Sequence, residues 1–331
     1  MQSGILKFIV RRFILMAPTL IFISLIAFLI IELPPGDYVT SYVQALRARG
    51  VEINKQQEEA IRERYGLGLP WYQRYLKWFG NLLQGDLGYS YTFSAPVGEL
   101  IARRLPYTVL ISLLTIVFSW VLAIPIAIYS AVKKYTVGDY VVTFVGFVGL
   151  SIPNFFLAIV LMYLGFRLFG VSIGGLFSRE YLLEPWSWGK FVDLLRHIWV
   201  PIVVVGTAGT AQTIRVLRAS LLDELGKDYV RTARSKGMSE ARILIFHPLR
   251  VALNPLISTI GWLLPTVISG AVITAQVLAL PTTGPLLLGA LLNQDMYLAG
   301  SFVFLLSVLT IIGTLISDIL LAAIDPRIRY D

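Results

Sequence analysis

The residues best suited to chemistry lie between Ala219 and Arg250, in ASLLDELGKDYVRTARSKGMSEARILIFHPLR. This is the most charged segment in the C-terminal half of a very apolar chain. Its residue types are those of recognition rather than of bond making. At helical spacing, Tyr229, Val230 and Ala233 share one face, while Arg231, Arg234 and Ser235 share the other. Asp228 is expected to cap the start of this helix through the free N–H groups of its first turn. Lys236 suits the negative end of the dipole, and Gly237 supplies the left-handed position that ends the helix. Ser239 is a second N-cap candidate. Ala241 to Phe246 restarts a helix that Pro248 must distort or end. The pattern alone leaves two readings open: a solvated basic loop between membrane spans, or an amphipathic helix presented to a soluble partner.

Chemistry of other kinds is poorly supplied. The chain has no cysteine and two histidines, His197 and His247, which are too far apart to suggest a metal site. Gly226-Lys227-Asp228 lacks the upstream glycine and the hydroxyl of a phosphate-binding loop, so the chain is not expected to hydrolyse nucleotide alone. Neither H-E-x-x-H nor G-x-S-x-G occurs. Glu32 stands at an interface, and Asp318 near the end of an apolar run reads as a helix-end or interhelix contact. Without deep paired charges, an ion-coupled secondary transporter is disfavoured. A membrane enzyme or scaffold acting alone is the alternative that these missing motifs argue against.

These residues sit in 331 positions of which 56% are apolar and only 15% charged, with a mean hydropathy of +0.73. Soluble domains carry about 25% charge, so the expected class is an all-α integral membrane protein. The net charge of +8 is spread over loops, which membrane orientation explains more cheaply than nucleic acid. Six spans are expected, at 13–33, 106–132, 138–168, 198–218, 251–278 and 296–320. A cytoplasmic N-terminus, 1–12, precedes the first and a cytoplasmic tail, 321–331, follows the last. A long extracytoplasmic insert fills 34–105, with a second outside loop at 169–197 and a cytoplasmic loop at 219–250. Fifteen of the 28 basic residues fall in 1–12, at 133–134, in 215–250 and in the tail, the side assigned to the inside. The run 251–294 has no charge, and as one helix it would reach about 66 Å, twice the hydrocarbon core. The break is expected at Pro281-Thr-Thr-Gly-Pro285, with 279–295 forming a re-entrant or extracytoplasmic segment and a short helix near Leu286–Asn293.

Smaller features have their own readings. Trp71, Tyr72, Tyr75 and Trp78 suit either an interfacial helix or the core of a small subdomain. Gly85-Asp86-Leu87-Gly88 is a turn signal. Ser151-Ile-Pro-Asn154 interrupts an apolar run, so Asn154 is a candidate to line a pathway or to join helices. The small-residue stripe Gly206-Thr-Ala-Gly-Thr-Ala211 permits close helix approach.

Taken in order, several strings resemble bacterial ABC importer permeases of the dipeptide/oligopeptide/nickel type, first ("B") permease subunit. They are Arg12-Phe13, Pro35-Gly-Asp37, Tyr65-Gly-Leu67, Leu83-Gln-Gly-Asp-Leu-Gly-Tyr89, Arg104-Leu-Pro106, Ser151-Ile-Pro153 and Arg218-Ala-Ser-Leu221. Asp228-Tyr-Val-Arg-Thr-Ala-Arg-Ser-Lys-Gly237 and Asp325-Pro-Arg-Ile-Arg-Tyr330 complete the set. The resemblance spans essentially the whole chain, with a permease core at 106–320. It implies that Asp228, Tyr229, Val230, Arg231, Thr232, Ala233, Arg234, Lys236 and Gly237 form a coupling helix, between the fourth and fifth spans, that docks on an ATP-hydrolysing subunit. It further implies a second related permease, two cytoplasmic ATP-binding subunits and an extracytoplasmic substrate-binding protein, in the plasma membrane of a prokaryote. This chain would then be non-catalytic and bind no cofactor itself; ATP and magnesium would be used by the partner ATPases. The family's general signature begins Glu-Ala-Ala, where this chain has Arg231-Thr232-Ala233.

One departure stands out. Peptide-type members commonly carry a glutamate and a Pro-Gly-x-Gly string across the stretch read here as 275–295, where this chain has Gln276 and a proline after its glycine. Asn154, Gln276, Pro281 and Asn293 are the candidate pathway or gate residues. Peptides are the expected cargo, with oligosaccharides such as β-linked glucans, or a nickel chelate, as alternatives.

Overall fold

The structure is a computed structural model that describes residues 14, 18–30, 32, 38–48, 50–64, 68–170, 173–258 and 272–324. The N-terminal segment 1–12, the strings Arg12-Phe13, Pro35-Asp37 and Tyr65-Leu67, residues 259–271 of the expected fifth span, and the tail string from Asp325 lie outside the described residues. The chain divides into two compact bodies, 1–106 with 282–311, and 107–281 with 312–331.

The first body contains α1 (Pro18–Ile30), α2 (Tyr38–Ala48), α3 (Lys55–Arg64) and α4 (Trp71–Leu83). A two-stranded antiparallel ribbon, β1 (Tyr89–Ser90) and β2 (Ala95–Pro96), follows the 85–88 turn. It is the one departure from all-helical structure among the described residues. The aromatic residues of α4 divide by face. Trp78 is buried beside Phe28 and Leu82, while Trp71 and Tyr72 are exposed. The Trp78 indole donates to Ser301 Oγ at 3.3 Å, and Ser301 donates to the Leu87 carbonyl at 2.9 Å. Buried Asp295 accepts from Ser90 Oγ at 2.6 Å, from the Thr92 amide at 3.1 Å and from the Leu298 amide at 3.2 Å. The last of these bonds satisfies a free donor of the final helix's first turn.

The long helices begin or end in polar sequence. α5 (Val97–Val132) starts nine residues before the expected second span. The stretch of the expected third span folds as two helices, α6 (Val137–Ser151) and α7 (Asn154–Phe169), bent by 94° at Ile152-Pro153. Proline removes a helical donor, and it also pushes the preceding residue out of the α region; Ile152 accordingly has ψ 118°. α8 (Trp188–Leu225) overruns the expected fourth span at both ends and contains Pro201. α9 (Asp228–Ser235), α10 (Glu240–Phe246) and α11 (Pro248–Ala252) follow, then α12 (Val272–Val277), α13 (Thr283–Leu292) and α14 (Met296–Ile324). α13 is the short helix expected near 286–293. Among the described residues, three helices are long and apolar enough to cross a membrane, or four if the bent pair counts as one.

The second body is built on α8, which packs against α6, α7 and α11. Its small-residue stripe lies where close approach was expected. Ser119 Oγ donates to the Gly206 carbonyl at 3.2 Å, and a Cβ at Gly206 would sit 2.6 Å from the Phe118 ring. A side chain there would force the helices apart. At the other stretch of α8, buried Asp193 accepts from the Ser178 amide at 2.7 Å and its hydroxyl at 2.6 Å. The buried Lys190 ammonium lies over the Phe177 ring at 5.0 Å. These contacts tie the 173–187 segment to the helix.

Candidate functional site around residues 218–250

α9 begins after Lys227, whose φ −76° and ψ 154° make it the N-cap. Asp228 is the first helical residue and does not cap, which corrects the sequence expectation. Its carboxylate still favours the positive end of the dipole, and it is 3.5 Å from Arg231 Nη1. Val230 and Ala233 are buried together with Ile243 of α10, with Met238 packed against them. This seam joins two helices of eight and seven residues, each too short to hold in water alone. Burial of Val230 and Ile243 contributes about 1.5–3 kcal/mol each.

The reversal between the helices is a Schellman closure. The Met238 amide donates to the Ala233 carbonyl at 3.3 Å, and the Gly237 amide to that of Arg234 at 2.9 Å. Gly237 has φ +74°, the left-handed conformation expected of it. Ser239 has extended backbone at the N-cap of α10. Arg234 bridges to Glu240 with Nε to Oε1 at 2.6 Å and Nη2 to Oε2 at 3.0 Å. The bond raises the guanidinium pKa and lowers that of the carboxyl. Asp228, Arg231, Thr232, Arg234, Ser235 and Lys236 all face outward. The Thr232 and Ser235 hydroxyls bond back to the carbonyls of Asp228 and Arg231.

Two carboxylates root this unit, and sequence reasoning passed over both. Buried Glu224 accepts from Lys227 Nζ at 2.5 Å and from the Tyr229 hydroxyl at 2.6 Å. Tyr229 therefore braces α9 against the end of α8 instead of joining the buried seam. Two turns earlier on α8, Arg218 grips Asp139 at the start of α6. Its Nη2 donates to Oδ2 at 2.8 Å and its Nε to Oδ1 at 3.0 Å. Arg218 Nε also reaches Ser130 Oγ of α5 at 2.9 Å, and that hydroxyl donates to Asp139. The Tyr135 amide donates to Asp139 Oδ2 at 2.9 Å, and Asp139 is 2% exposed. The signal in the sequence was a lone acid opening one apolar run and two arginines, Arg215 and Arg218, closing another.

The candidate pathway residues fall on different elements. Asn154 is half-buried at the first position of α7; Gln276 is exposed on α12, which packs against α7; Pro281 is half-buried just beyond. These three belong to the second body and Asn293 to the first. The Asn293 amide is spent on the Gly289 carbonyl at 2.8 Å. Among the described residues, no group of three His, Cys, Asp or Glu side chains could hold a metal ion.

Comparison with known proteins gives the family. Residues 123–330 match the family described as binding-protein-dependent transport system inner membrane component, and residues 5–113 match its N-terminal counterpart. The chain is 37% identical over 325 residues to the oligopeptide transport system permease protein AppB of Bacillus subtilis (strain 168), covering 98% of this chain and 99% of that one. It is 33% identical over 342 residues to the di/tripeptide transport system permease protein DppB of Pseudomonas aeruginosa (strain UCBPP-PA14) and 31% to the dipeptide transport system permease protein DppB of Escherichia coli (strain K12). Both of those matches cover 98% of this chain and 99% of the relative. With family matches over both halves and relatives aligned end to end, the chain belongs to the binding-protein-dependent transport system inner membrane components.

Proposed function

We propose that this chain is the first permease subunit of an ATP-driven peptide importer. It forms half of the translocation pathway and passes the work of partner ATPases to it. Six spans would cross the plasma membrane of a prokaryote, with both termini and 219–250 on the cytoplasmic side and 34–105 outside. The partners are a second related permease, two ATP-binding subunits and a substrate-binding protein outside. ATP and magnesium belong to the partner subunits, and this chain does no bond chemistry. The relatives named for oligopeptide and dipeptide transport, aligned over almost their whole length, support peptide as cargo.

The observation that carries the docking role is the two-faced build of α9. Its inner face is sealed by Val230, Ala233 and Ile243, while its outer face presents Arg231, Arg234 and Lys236. A short helix laid into a groove is an established mode of recognition, and this outer face suits an acidic rim. Binding of ATP would close the ATPases and draw the docked helices together; hydrolysis would reset them.

The test uses the assembled complex in lipid. The double variant Arg231→Glu with Lys236→Glu is expected to lose co-purifying ATPase, and full retention overturns the docking role. In the unaltered complex, a binding protein loaded with short peptide is expected to stimulate hydrolysis. Stimulation by a β-linked oligosaccharide or a nickel chelate alone would instead reassign the cargo and give Gln276 a part in that change.

A further inference from the structure

We infer that Arg218 and Asp139, bridged by Ser130, are positioning residues that make α8 and the α5–α6 turn move as one body when α9 is displaced. This inference rests on the docking role proposed for α9.

The argument begins with what each end of α8 is fastened to. At Leu225 the helix is joined to α9 through Glu224, which holds Lys227 and Tyr229. Arg218 lies roughly 10 Å back along the same axis. There it makes the forked pair to Asp139 Oδ1 and Oδ2 and the bond to Ser130. Asp139 is on α6 and Ser130 on α5, so one guanidinium joins three helices. The planar fork matches the carboxylate in two bonds, which resists rotation as well as separation.

The turn it holds is itself constrained. Tyr135 has φ +65°, an unusual conformation for a bulky residue. Its amide is taken by Asp139 Oδ2, and Thr136 closes the turn by donating to the Lys133 carbonyl at 2.6 Å. A backbone in that region persists only where its surroundings over-determine it. The carboxylate that grips Arg218 is thus the same group that fixes the α5–α6 connection. A push on α9 reaches Glu224, then α8, then Arg218, and through Asp139 both α5 and α6.

The experiment compares substrate taken up per ATP hydrolysed, in lipid vesicles holding the full complex and its loaded binding protein. A role confined to folding would lower the amount of complex, its hydrolysis and its uptake together, leaving that ratio unchanged. Asp139→Asn is expected to lower the ratio about tenfold, within the range of ordinary coupling between sites. Arg218→Lys, which keeps the charge but loses the fork, is expected to fall between that variant and the unaltered protein. Ser130→Ala removes only the bridging hydroxyl and extends the test should the Asp139 variant fail to assemble. An unchanged ratio in every variant that assembles overturns the inference. The variant Ser235→Cys, cross-linked to the ATPase, separates this failure from failure of the docking role. A cross-link with an unchanged ratio sinks only the inference, while absence of the cross-link in the otherwise unaltered complex sinks both.

Discussion

Two arginine–carboxylate pairs with similar forks stand on successive helices, one arginine on α8 and the other on α9, and they do different work. Arg234 and Glu240 meet in the open, with side chains 47% and 68% exposed. Arg218 and Asp139 meet with side chains 26% and 3% exposed. An exposed pair gains little over two solvated ions and is screened by salt. A buried pair costs a great deal if one partner is removed, because the other is left without a counter-charge. Bond lengths near 3 Å therefore say little by themselves about consequence. The α9–α10 unit is held by the Val230–Ala233–Ile243 seam, with its ion pair as trim. At the joint between α8 and the α5–α6 turn the ion pair lies beside an apolar cluster of Ala127, Ala131, Leu217 and Leu221, and removing one partner there leaves a buried charge.

The largest effect expected from this contrast is at Arg218. Replacing it with Met leaves Asp139 buried and unpaired, and should cost about 3 kcal/mol or more. Denaturation of the purified chain in detergent measures it, and a loss no larger than that of Arg234→Met would erase the distinction. A middle-sized effect is expected at Gly237. No atom lies within 4 Å of a Cβ built there, so the cost of Gly237→Val is in the backbone alone, about 1–2 kcal/mol. Hydrogen exchange at the Met238 amide should quicken about 5–30-fold for Val and much less for Asn, which tolerates this conformation. Equal quickening for both would mean that side-chain space, and not φ, decides.

The smallest effect is at Glu240. Its carboxyl is held below the ordinary value by Arg234. The pair's contribution is therefore complete at neutral pH and is lost as pH falls through that lowered value. Exchange across α9–α10 should rise slightly in acid or high salt, and Glu240→Gln should abolish that dependence. A response as large as the one at Gly237 would move weight from the seam to the ion pair.

Local features were legible in the residues, and distant pairings were not. Gly237 announced its conformation because few other residues adopt it readily. The stripe from Gly206 announced close packing because small side chains leave the room. The short helix near 286–293 followed from the length of an uncharged run that no single span could use. α5 and α8 run on beyond the apolar stretches that hydropathy marks. Val97 to Arg104 and Trp188 to His197 are polar yet helical, since hydropathy measures solvent preference and not backbone conformation. Asp228 was read as a cap from its type, whereas the cap is set by backbone angles that Lys227 adopts. Asp139 and Arg218 are 79 positions apart, and no periodicity links them.

Asp295 carries a consequence for how the chain is made. Its partner Ser90 lies 205 residues earlier, and the bond between Trp78 and Ser301 spans 223. At ordinary rates of synthesis, about 5–20 residues per second, Ser90 waits on the order of 10–40 s for its partner to leave the ribosome. Throughout that interval the β1–β2 ribbon and the Trp78 indole have no C-terminal helix to close on. The N-terminal body is therefore finished last, although most of it is made first. A truncation before Asp295 is expected to leave it open to proteolysis even where every one of its first 106 residues is present.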